Sequence, residues 1–167
     1  MKTRKLTVLG LLSALSLILF IIELRLPALI PVPGVKPGLS NIVVLVALFA
    51  YDRRSAGAVL FVKTVLGAVF AGSMLRFLYS CAGSLCCFAA AAALRGAVKD
   101  RQAWFLSALA ACAHNFGQLL VARAVMGTPQ VWWYAPILVF SGVLTGLFTG
   151  LCAAFALPLV RKIDEKR

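Results

Sequence analysis

Acidic residues are scarce: the 167-residue chain carries five Asp and Glu against 17 Lys and Arg, a formal charge of +12. They are also scattered, and only Asp164 and Glu165 are adjacent, on the tail. An enzyme that handles diphosphates through Mg²⁺ needs several carboxylates converging on metal, and this chain alone does not supply them. Histidine occurs once, at His114, while Asp52 and Asp100 fall between apolar runs, which disfavours a Ser–His–Asp triad. No G-x-x-x-x-G-K-[ST] segment is present, so ATP is not loaded through a P-loop. Cys81, Cys86, Cys87, Cys112 and Cys152 include no C-x-x-C pair and read as small packing residues rather than metal ligands. No catalytic residue, metal or cofactor is expected.

Apolar residues are abundant instead, at 62%, with 13% charged and a mean hydropathy of +0.98. A soluble domain has about 45–50% and about 25%. A basic balance often marks nucleic-acid binding, but this chain has too little polar surface for a soluble reader. The pattern predicts an all-α, polytopic membrane protein with the lipid bilayer as its surroundings and no nucleic-acid partner. The Lys2-Thr-Arg-Lys5 start followed by Leu6–Ile22 imitates a secretory signal, but no small-x-small cleavage site follows, so it reads as a retained span. Six spans are expected, at about 6–22, 39–51, 56–75, 77–94, 104–125 and 136–160, forming one integral membrane domain over 1–167. The second is short, reaching only about 20 Å.

Six spans with the N-terminus inside place Lys2, Arg4, Lys5, Arg53, Arg54, Arg95, Lys99, Arg101, Arg161, Lys162, Lys166 and Arg167 on the cytoplasmic side. Arg25, Lys36, Arg76 and Arg123 fall outside, and Lys63 lies within a span. Cytoplasmic loops favour Lys and Arg, so both termini are expected inside. Trp104 and the Trp132-Trp133-Tyr134 run fall where interfacial aromatic belts belong.

Polar groups inside the spans mark candidate sites. His114, Asn115 and Gln118 share an arc of the fifth span, Asn115 about 100° and Gln118 about 40° from His114. That arc is either an interhelical hydrogen-bond cluster or a substrate or ion site. Lys63 either snorkels to the surface or points inward as a buried cation. Glu23 and Arg25 read as the end of the first helix. The outer loop, residues 26–41, is proline-rich and apolar, so it is a lid or a packing loop. It leads to the start of the short second helix, where free N–H groups, Asn41 and nearby Lys36 are able to receive an anion. Gly142, Gly146 and Gly150 form a small-residue stripe for close helix packing, with Ser141, Thr145 and Thr149 beside it as hydroxyls that bond across the contact or line a pocket. Gly10 and Ala14, with Ser13 alongside, form a similar short stripe on the first span, for internal packing or a partner's helix.

Pro33-Gly-Val-Lys-Pro-Gly-Leu-Ser-Asn41, Lys63-x-x-x-Gly67, Ala113-His-Asn-Phe-Gly-Gln118 and Ser141-Gly-Val-Leu-Thr-Gly146 resemble the bacterial Gx transporter family, also labelled heptaprenyl diphosphate synthase component I. That family is in turn similar to the substrate-binding S components of energy-coupling factor transporters. The resemblance implies a six-helix bundle in the bacterial cytoplasmic membrane that captures a vitamin- or isoprenoid-like compound from the outer side, under the loop between the first two helices. It implies partners too: a transmembrane coupling subunit docking at Gly10, Ser13 and Ala14, and ATPase subunits. The substrate residues would be His114, Asn115, Gln118, Lys36, Asn41, Lys63, Ser141 and Thr145. The family's other label implies an accessory membrane subunit in polyprenyl diphosphate synthesis.

Overall fold

The computed structural model of the chain describes residues 2–25 and 38–165. Six α-helices account for most of them: α1 Lys2–Arg25, α2 Leu39–Ala50, α3 Arg53–Ala71, α4 Met74–Leu94, α5 Ala103–Met126 and α6 Ala135–Glu165. Short 3₁₀ turns at Arg95–Ala97, Asp100–Gln102 and Pro129–Tyr134 join the later helices.

Local chemistry sets the breaks. Asp52 accepts a hydrogen bond from the Ser55 backbone N–H and caps the start of α3. Gly72, at φ +61°, ends α3 in the left-handed conformation that side chains resist. The helix therefore stops at Ala71, four residues short of the expected span end at 75, and Met74, Leu75 and Arg76 open α4 instead. At the other end of the chain α6 continues through Pro158 to Glu165, beyond the expected end at 160.

Around the bundle the neighbours run α1, α3, α4, α5, α6, α2 and back to α1, and α2 also touches α3 and α4. That central placement explains why the shortest helix is the most enclosed, with Val43 to Phe49 all buried. At about 1.5 Å per residue its 12 residues reach only about 18 Å. Small residues bring α5 and α6 into backbone contact. A Cβ added at Gly146 would lie 2.5 Å from the Ala108 Cα, and one at Gly150 would lie 2.5 Å from the Trp104 Cα. Ser107 and Thr149 share a hydrogen bond of 2.9 Å across the same seam.

Apolar side chains cover the outside: Leu6, Leu11 and Ile18 on α1, Phe61 and Val69 on α3, Phe140 and Phe155 on α6. Polar side chains are buried: Ser16, Glu23, Lys63, Ser84, Asn115 and Gln118. In water this distribution would be unstable; in lipid it is the favourable one. Among the described residues, four stretches are long and apolar enough to cross a membrane: Thr3–Glu23, Met74–Ala97, Asp100–Met126 and Pro129–Lys162.

The end of the bundle that holds the start of α1 is tied by ion pairs. Lys5 contacts Asp52 at 2.6 Å, and Asp100 pairs with both Arg95 and Arg161, at 3.1 and 2.7 Å. Arg161 also donates to the Phe49 carbonyl at the end of α2.

Candidate functional site

Two polar groupings lie inside the bundle, one at the start of α2 and one between α2, α4, α5 and α6.

The first grouping begins with Glu23, near the end of α1. Its carboxylate accepts from the backbone N–H of Leu39 at 2.7 Å and of Ser40 at 3.3 Å. The first N–H groups of a helix lack intrahelical acceptors and carry partial positive charge. Glu23, 4% exposed, therefore fills the anion position that the sequence offered to a ligand. Lys63, 2% exposed, points inward from α3 and donates to Asn41 Oδ1 at 2.8 Å and to Ser40 Oγ at 3.4 Å. Ser16 of α1 completes the junction, donating to the Ser40 carbonyl at 2.9 Å. One acid, one cation and a helix start thus satisfy one another, which is what makes buried charge tolerable. Lys36, expected beside this helix start, lies outside the described residues.

The second grouping is a cavity. Its volume is about 40 Å³, so it is a narrow crevice. Asn41, Ser84, Ser107, His114, Asn115, Thr145 and Thr149 supply polar side chains to its lining. Leu45, Leu48, Leu60, Phe88, Ala91 and Ala110 form the apolar part. Asn115 donates through Nδ2 to the Leu138 carbonyl at 2.7 Å, fixing α5 to α6. Thr145 donates to the Ser141 carbonyl within its own helix. The His114 ring packs over Gly83 of α4, where an added Cβ would come within 2.8 Å of the ring. Ser84 Oγ is buried with no hydrogen-bond partner among the described residues. An unsatisfied buried hydroxyl is costly and calls for an explanation.

The structure therefore brings Asn41, His114, Asn115 and Thr145 onto one cavity, with Lys63 one hydrogen bond behind Asn41. Gln118 is separated from them: it lines a second cavity, wider than the first at about 130 Å³ against about 40 Å³, with Tyr79, Val131, Tyr134 and Leu138. Ser141 is buried one turn before Thr145 and does not line the first cavity. Gly142, Gly146 and Gly150 face α5 as a packing seam. On α1 a Cβ added at Gly10 would meet nothing within 4 Å, and Ala14 is exposed beside it. Ser13 turns to the buried side and donates to the Leu9 carbonyl.

Sequence reasoning missed Glu23 and Ser84. The Glu23 signal exists only if the chain folds back so that a residue 16 positions earlier caps α2. Ser84 sits in a run of Ala, Gly, Ser and Cys that reads as packing, and only the enclosed space beside it sets it apart.

A helical bundle with an apolar exterior, buried polar side chains and an internal crevice defines a membrane protein. Residues 12–156 match the family described as heptaprenyl diphosphate synthase component I, and the chain belongs to that family. Neither the curated proteins nor the solved structures give a match.

Proposed function

We propose that the protein is the substrate-binding membrane subunit of a small-molecule transporter, similar in kind to the S components of energy-coupling factor systems. In this reading all six helices belong to the membrane domain, α2 and α3 completing the four longer apolar stretches. Both termini face the cytoplasm, because the end of the bundle with Lys5, Arg53, Arg54, Arg95 and Arg161 is the basic end.

The observation that carries the reading is the crevice lined by Asn41, His114, Asn115 and the Ser84 hydroxyl, which has no partner among the described residues, set inside the bundle where polar groups are expensive. The role is binding rather than catalysis. Glu23 is committed to α2, while Asp52 and Asp100 are held in ion pairs at the basic end. The exposed Gly10–Ala14 face of α1 suits a coupling subunit's helix. Protein purified in mild detergent is expected to retain a small molecule detectable by mass spectrometry. If none is retained, and native extracts supply none that binds, the reading is wrong.

The family's description favours a second reading, an accessory membrane subunit of a diphosphate synthase with a separate component. It requires co-purification with a carboxylate-rich soluble synthase and a change in that enzyme's rate on reconstitution.

A further inference from the structure

Two amide side chains line the crevice, and the groups that hold them settle which way each amide faces. An ammonium group only donates, so the contact from Lys63 Nζ fixes Asn41 with Oδ1 toward α3 and leaves Nδ2 as the donor available to the crevice. A carbonyl oxygen only accepts, so the contact with Leu138 O fixes Asn115 with Nδ2 toward α6 and leaves Oδ1 as an acceptor. The Ser84 hydroxyl, 2% exposed and unpartnered among the described residues, adds a group that both donates and accepts. Among the described residues no Lys, Arg, Asp or Glu is part of the lining, and the neighbouring charges of Glu23 and Lys63 are already engaged around Ser40. Leu48, Phe88 and Ala91 wall the part away from Asn41. From Asn41 to Leu48 is seven residues of α2, about 10 Å, and the space between is narrow.

We infer that the crevice takes an uncharged, slender amphipathic molecule whose polar end pairs with the Asn41 donor, the Asn115 acceptor and the Ser84 hydroxyl, as a primary carboxamide does, and whose apolar end lies along Leu48 and Phe88. Lys63 is a positioning residue in this arrangement: it sets the face that Asn41 turns to the ligand. The inference rests on the proposal that this crevice is the substrate site. It narrows that proposal to a ligand class, because among the described lining residues no Lys, Arg, Asp or Glu would meet a charged head, a costly arrangement in a membrane interior.

The test uses three probes of one length, hexanamide, hexanoate and hexylammonium, titrated into the purified full-length protein in a non-ionic detergent and followed by thermal shift and calorimetry. Hexanamide is expected to bind and stabilise, the two ions not to. Ser84→Ala removes one neutral hydrogen bond and is expected to weaken hexanamide about threefold to tenfold. The free protein should melt at the same temperature or higher, because an unsatisfied hydroxyl has gone. Asn41→Asp keeps the shape and a partner for Lys63 but removes the donor, and is expected to weaken hexanamide at least as much. Tighter binding of either ion overturns the inference while the substrate-site reading stands. The same holds if all three probes fail but a co-purified compound occupies the protein. If no probe binds and no compound is retained, both fall. A Ser84→Ala protein that melts lower and binds hexanamide unchanged also overturns the inference, since the hydroxyl is then structural.

Discussion

At Glu23 one carboxylate satisfies two backbone donors at the start of α2 and offsets the charge of Lys63, which reaches the same Ser40 from the other side. Removing one partner of a buried, mutually satisfied pair leaves the other uncompensated, at a cost of about 3–5 kcal/mol. Glu23→Gln is therefore expected to lower the melting temperature in detergent sharply, and Glu23→Gln with Lys63→Met to recover part of the loss. A double-mutant cycle with no coupling would show that the two groups act separately. Residue by residue, the sequence made the site partly legible. His114, Asn115, Asn41 and Thr145 were visible because polar groups in long apolar runs stand out. Their grouping was not, since Gln118 is close to His114 in angle yet one turn further along α5, enough to place it in another cavity. The outcome at Lys63 depended on what α2 brings to meet it, which periodicity within α3 does not contain.

Helix by helix, identical residue types have opposite consequences. Gly146→Ala would push a Cβ against the α5 backbone, which has no flexible side chain to give way. Such overpacking costs about 1–3 kcal/mol, measurable as a lower melting temperature or loss of folded yield. Gly10→Ala meets open space and gains helix propensity, so it is expected to be neutral or to stabilise by up to about 1 kcal/mol. The start of α3 has a pH signature. The hydrogen bond from Lys5, followed by that from the Ser55 N–H, holds the Asp52 carboxyl down from 3.8 to about 2. A depressed folded value means that the contribution of Asp52 is fully present above about pH 4 and is lost as pH falls toward 2. Melting curves of the wild type and Asp52→Asn are thus expected to differ at neutral pH and to converge by about pH 2. Helix existence and order were readable from the apolar runs, whereas the α3–α4 boundary was not. It turns on the left-handed conformation at Gly72, and that glycine lies within an otherwise continuous apolar stretch.

At the scale of the whole molecule, the apolar exterior and the basic end arise from different residues and answer different questions. The exterior follows from composition and identifies the solvent as lipid. The cations define an end, and the proposed topology puts reporter fusions at the two termini on the same, cytoplasmic side of the membrane. Reporters found on opposite sides would remove one span from the reading. The Glu23 cap also bears on how the chain tolerates change. Because Glu23 accepts from Leu39 and Ser40 directly, the end of α1 and the start of α2 are fastened to each other by one carboxylate. A change at Glu23 is therefore a change in how α2 is seated, and through Asn41, which Lys63 also holds, it reaches the lining of the crevice.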